Sequence, residues 1–170
     1  MQKKQQPEGD RPQIAFLLTQ LGTHAAMKFS EALAPIHLTP PDAGILRLLR
    51  QSPGISQQEL AERLGMHASR LVAVIDSLEE RQMVVRKQSP DDRRTYSLHL
   101  ADSGFEALRL IGRAAQAHEE RICQGLSKTE RVKLAGLLNK IAARQGLATG
   151  IHPGYRTLGG SKACDEAADN

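Results

Sequence analysis

A mainly α-helical chain with one small β-hairpin is what this sequence predicts, and three observations carry that expectation. Only 3% of the 170 residues are aromatic and Trp is absent, so a core must come from Leu, Ile, Val and Ala, which favours helix packed on helix. Apolar residues recur at helical spacing over most of the chain. The exception is "MVVRKQSPDDRRTYSLHL", where two β-prone runs flank a turn-rich tip.

Residues 1–12 are polar, with Pro7, Gly9 and Pro12, and are expected to form a disordered lead-in. From Ile14 the apolar positions 14, 17, 18, 21, 25, 29, 32 and 33 make a helical stripe that Pro35 closes. In "LTPPDAGILRLLRQ" Thr39 is placed to cap a new helix, with Pro40 in its first turn and Asp42 facing the positive end of its dipole. "SPG" at 52–54 breaks that helix. Ser56 and Glu59 have capping-box spacing before a short helix that ends at Gly65, and "MHASRLVAVIDSLEERQ" supplies a longer one with Leu71, Val74, Ile75 and Leu78 on one face.

The strands follow. Tyr96, Leu98 and Leu100 alternate with Thr95, Ser97 and His99. A long helix then runs from Asp102 to about Gly125, with Asp102 or Ser103 expected as its cap. Ser127 and Glu130 open a last helix that Gly146 ends. Residues 146–170, rich in Gly and small polar side chains, are expected to be a flexible tail.

Two helices meeting at Gly65 carry the first functional signal. A tight turn between steeply crossed helices needs a positive φ, which glycine tolerates, and Ala61 is small enough for the crossing. This is helix-turn-helix spacing. It puts His67, Ala68, Ser69 and Arg70 at the leading end of a helix suited to the major groove. The hairpin directly after that helix turns the motif into a winged helix. Its tip holds Asp92, Arg93 and Arg94. A narrow minor groove concentrates negative potential and attracts arginine. A carboxylate two residues away can hold an extended guanidinium in place, so Asp92 is expected to orient Arg94, with Arg93 and Lys87 meeting phosphates.

Placement matters more than bulk charge here. The chain carries a formal +4 and its pI is near 9.3. Residues 39–100, however, hold nine Lys/Arg against eight Asp/Glu. No Ser/His/Asp, Cys/His or phosphate-loop arrangement appears, so the sequence does not read as an enzyme. Cys123 and Cys164 do not form a CxxC pair, and a disulfide framework or zinc knuckle is not expected. His118, Glu119 and Cys123 lie close on one helix but read as a partly buried polar spot rather than a metal site. With no apolar run long enough to span a bilayer and no apolar N-terminal stretch, the chain is expected in the cytoplasm.

In "SQQELAERLGMHASRLVAVIDSLEERQMVVR" and "SPDDRRTYSLHLADSG" the sequence resembles the MarR family of bacterial transcriptional regulators, over about Ile14 to Arg144. The family's Asp-x-Arg wing motif falls on Asp92, Arg93 and Arg94. The chain departs from the family pattern at Gln82, where Gly is usual, and at Ala101, where Thr is usual.

The resemblance implies a winged-helix domain over 13–145. Residues 39–100 would bind DNA, and helices within 13–35 and 102–145 would form a homodimer on a pseudopalindromic operator. It further implies repression relieved, with no cofactor, by a small ligand, often phenolic or otherwise anionic, bound between the first helix and the winged part, where the mixture of side chains would suit an aromatic or acyl effector. His24, Met27, Phe29, Leu48 and Phe105 are the candidates for that cleft. The competing expectation is a winged helix used as a protein-interaction module without DNA readout.

Overall fold

The computed structural model describes residues 13–88 and 96–152. Helix α1 (Ile14–Leu33) passes through a 3-10 turn (Ala34–Ile36) into α2 (Pro40–Gln51). Thr39 caps α2 as expected, and Asp42, expected only to face the helix dipole, also closes a full capping box: Thr39 N–H donates to the Asp42 carboxylate at 2.8 Å, and Asp42 N–H to Thr39 Oγ1 at 3.3 Å. Strand β1 (Ile55–Ser56), helices α3 (Gln57–Leu64) and α4 (Ala68–Glu80), and strands β2 (Val84–Gln88) and β3 (Tyr96–Leu100) make up the winged part. The chain continues as α5 (Asp102–Ile122) and α6 (Lys128–Arg144).

The hairpin is antiparallel, with Val84 opposite Leu100, Arg86 opposite Leu98 and Gln88 opposite Tyr96. A third strand adds to it. Ile55 and Ser56 pair with Leu98 and Ser97, so the sheet order is β1-β3-β2. Two residues inside a Ser/Pro/Gly-rich break are too few to show alternation, which is why the sequence does not announce β1.

One core lies under the winged part. Ile45, Leu46 and Leu49 from α2 meet Leu60 and Leu64 from α3, Leu71, Ile75 and Leu78 from α4, and Val84 and Leu98 from the sheet. Leu33, Ala107 and Ile111 close it from α1 and α5. Of the alternating residues on β3, Leu98 is fully buried and Leu100 half-buried, but Tyr96 at the strand's start is exposed.

The ends of the chain behave differently. Helix α1 buries only Leu33, and α6 buries nothing. Phe16, Leu17, Leu21, Val132, Leu137 and Ile141 all lie on the surface of the single chain. The residues just after α6 turn back: Ile151 packs on the core and the Arg47 guanidinium donates to the Gly150 carbonyl. So the first part of the segment expected to be a loose tail lies against α2.

Two cap expectations are corrected. Ser56 does accept from Glu59 N–H at 3.1 Å, but the Glu59 carboxylate pairs with Arg63 at 2.6 Å instead of returning to the cap. At α5 the cap position is Ala101, with no side-chain cap; Asp102 sits in the first turn and Ser103 Oγ donates to the Gln82 carbonyl. Among the described residues, no helix is long and apolar enough to cross a membrane.

Candidate nucleic-acid interface

Helices α3 and α4 are joined by the turn that their sequence predicts. Gly65 takes φ +61°, its N–H donates to the Glu62 carbonyl at 3.1 Å, and Met66 N–H donates to the Ala61 carbonyl at 3.0 Å. That is a Schellman closure, and the left-handed residue in it is the glycine. Ala61 is buried at the crossing.

Helix α4 begins bare. His67 occupies the cap position without a side-chain cap bond, and no acidic residue stands in the first turn. The positive end of the helix dipole is therefore uncompensated and open to an anion. Of the four leading residues expected to meet DNA, His67, Ala68 and Ser69 are exposed. Arg70 is only half-exposed, and its Nε is enclosed without a hydrogen-bond partner. Further along, Val72, Ala73 and Asp76 continue the exposed row that Ser69 starts, at the i+3, i+4 and i+7 positions. Val72 and Ala73 lie outside the leading end named from sequence; in the sequence their exposure shows only as the gap they leave in the stripe of Leu71, Ile75 and Leu78.

The end of α4 is closed by a second Schellman motif, with Gln82 N–H donating to the Glu79 carbonyl (2.8 Å) and Met83 N–H to the Leu78 carbonyl (2.9 Å). Gln82 takes φ +57°, so the turn keeps the left-handed geometry although the chain lacks the usual glycine. Arg81 reaches back from this corner to the start of α2, donating to the His37 carbonyl at 2.6 Å and lying 3.9 Å from the Asp42 carboxylate.

The wing is fastened to α4 by Arg86, a residue that sequence reasoning overlooked because a lone arginine on a strand carries no pattern. From β2 its guanidinium pairs with Asp76 at 2.5 Å and with Glu79, both on α4, and reaches Gln57 of α3 at 3.4 Å. Its backbone N–H also donates to Glu79, at 3.2 Å. Burial works against the charged form, but the hydrogen bonds to Asp76 and Glu79 and their negative charge outweigh it, leaving the guanidinium held above its ordinary range. The same contacts neutralise two carboxylates that would otherwise repel a polyanion.

Lys87 is exposed on β2, and its carbonyl accepts from Ser97 Oγ at 3.2 Å. Asp92, Arg93 and Arg94 belong to the link between Gln88 and Tyr96 and lie outside the described residues.

The five residues expected around an effector sit as follows. Phe29 and Leu48 are half-buried against the core, with the Phe29 ring tilted 42° to His118 at a centroid distance of 5.4 Å. His24, Met27 and Phe105 are exposed on the single chain. An open hollow of about 510 Å3 lies elsewhere, along α5, lined by Glu106, Arg109, Gly112, Arg113 and Gln116. Among the described residues no group of three His, Cys, Asp or Glu is placed to hold a metal ion. Cys123 instead donates to the Glu119 carboxylate at 3.4 Å, and burial, followed by that bond, pushes its thiol above the usual range.

A helix-turn-helix followed by a strand pair that is ion-paired back onto its second helix defines a winged-helix protein of the DNA-reading class. Comparison with known proteins gives the family. The MarR family model matches residues 38–96. The chain is 38% identical over 104 residues to a protein of Thauera aromatica named as a transcriptional regulatory protein for the hcr operon, covering 61% of this chain and 63% of that one. The alignment thus spans just under two thirds of that relative's length.

Among solved structures, the transcriptional repressor CouR bound to a 23-mer DNA duplex is 35% identical, with a TM-score of 0.68 over 76% of this chain and 92% of that one. Wild-type MarR from E. coli shares the fold with a TM-score of 0.70 at 21% identity, covering 78% of this chain and 98% of that one. The chain belongs to the MarR family, whose matched members are named as transcriptional regulators and repressors.

Proposed function

We propose that the protein is a sequence-specific regulator of transcription that binds double-stranded DNA and acts as a repressor from the cytoplasm, without catalysing a reaction. The observation that carries this reading is the bare, exposed start of α4 beside a wing pinned to the same helix by Arg86. Residues 39–100 form the reading part. His67, Ala68, Ser69 and Arg70 approach the major groove, Lys87 and Arg93 approach phosphates, and Arg94, oriented by Asp92, enters the minor groove. The solved DNA complex of CouR, at 35% identity, supports this assignment.

The apolar residues left on the surface of α1 and α6 support a homodimer, with helices in 13–35 and 102–145 as its interface. Two winged parts related by a twofold axis then meet two half-sites of a pseudopalindrome, and occupancy of the operator blocks transcription. A small aromatic or acyl effector, held between α1 and the winged part near His24, Met27, Phe29, Leu48 and Phe105, favours a spacing of the two α4 helices that does not fit DNA.

Duplex that copurifies with the protein, sequenced and rebuilt as an oligonucleotide, is the direct test. Binding should fall steeply as salt rises. Arg94→Ala should weaken it by about 1–3 kcal/mol. Salt-insensitive binding, or an Arg94→Ala protein with unchanged affinity, would reject the wing assignment and favour a protein-interaction module.

A further inference from the structure

The first two turns of α4 expose methyl groups beside a single hydroxyl, from Ala68, Ser69, Val72 and Ala73. Beyond Ser69 the exposed row runs Val72, Ala73 and Asp76, with Ala68 beside it. Val72 is 37% exposed, and between residues 39 and 88 no other large apolar side chain is among the exposed ones. Its neighbours Leu71, Ile75 and Leu78 fill the core, so Val72 points away from that core.

The charged groups near this row are constrained. Asp76 gives one carboxylate oxygen to Arg86 at 2.5 Å, which leaves less of it to accept from a cytosine amino group. Arg70 is half-buried with an enclosed Nε, which removes one of the donors a guanidinium offers to guanine. The row contains no Asn, Gln or Lys with which to read a base edge by paired hydrogen bonds. In the major groove one feature is matched by exposed methyls: the C5-methyl of thymine.

We infer that Val72 and Ala73 set the protein's sequence preference by packing on thymine C5-methyl groups at the centre of each half-site. The idea rests on the DNA-reading function proposed above and specifies what that reading prefers. Arg86 has a part in it. By neutralising Asp76, it lets an apolar row flanked by a carboxylate enter a groove walled by phosphates.

Duplex selected by the full-length protein from a random library serves as the probe. Each thymine of the selected site is replaced in turn by deoxyuridine, which keeps the base pair and removes only the methyl. At one or two positions per half-site the affinity should drop about fourfold, as expected for one buried methyl. Placing 5-methylcytosine at a neighbouring cytosine reports whether a methyl there is felt at all.

In Val72→Ala the penalty at one of those positions should vanish while the salt dependence of binding stays as in the parent. Val72 is exposed, so folding of the variant can be verified by circular dichroism without expecting a loss. Selection that succeeds but yields sites indifferent to every thymine-to-deoxyuridine change overturns the methyl reading and leaves DNA binding intact. Failure to enrich any duplex at all overturns DNA reading itself, and the methyl preference with it.

Discussion

Gln82 shows how a single residue can carry a conformation that its chemistry resists. A side chain in the left-handed region costs about 1–2 kcal/mol, and here the cost is met by the two Schellman bonds and by the Ser103 hydroxyl on the Gln82 carbonyl. Gln82→Gly should therefore raise the unfolding free energy by about 1 kcal/mol in urea denaturation, after allowing for the greater freedom of glycine when unfolded.

Cys123 makes the opposite kind of point. A thiol raised by burial and by its bond to Glu119 is less ionised at neutral pH than a free cysteine, whose pKa is about 8.5. Its alkylation should be slow at pH 7.4 and climb with a midpoint above the ordinary thiol value; Glu119→Gln should move that midpoint down. A fast reaction at pH 7.4 would contradict the described environment.

Among the elements, the join between β3 and α5 leaves no room for a side chain at Gly104. Ala101 N–H donates to the Met83 carbonyl at 3.0 Å, and a Cβ on Gly104 would stand 2.1 Å from that same oxygen. Gly104→Ala therefore forces backbone apart rather than a side chain aside. It should lower stability by about 2–3 kcal/mol, read from chemical denaturation.

Much of this level was legible in the residues themselves. The Thr39 cap, the box of Ser127 and Glu130, and the Gly65 turn declare themselves through spacing, because caps and left-handed turns are local chemistry. The Arg86 clamp, β1 and the packing of Gly104 were not legible, since each depends on which distant backbone comes near. Glu59 illustrates the limit: its spacing from Ser56 fits a box, yet Arg63 one turn on takes its carboxylate. That the leading end of α4 is largely exposed could be picked from sequence. The Val72 and Ala73 face needed the buried side of the helix to be known.

At the scale of the whole molecule the chain is incomplete by itself. Val132 is 75% exposed and Leu137 53%, on a helix that buries nothing. Paired Leu137→Asp and Ile141→Asp changes should leave a monomer in sedimentation experiments, with intact helicity and operator binding weaker by about a hundredfold as the linkage of two half-sites is lost. A dimer that survives both changes would place the interface elsewhere.

The bonded corner at Met83 has a mechanical meaning for such an assembly. Helix α5 has 21 residues, so it is a rod of about 30 Å, and its first turn is bolted to the residues that end α4. Tipping that rod by about 5° at its distal end would swing the bolted end sideways by nearly 3 Å, roughly the step between neighbouring base pairs. With α4 as the proposed reading head, a modest wedge far from the double helix is then enough to throw it out of register.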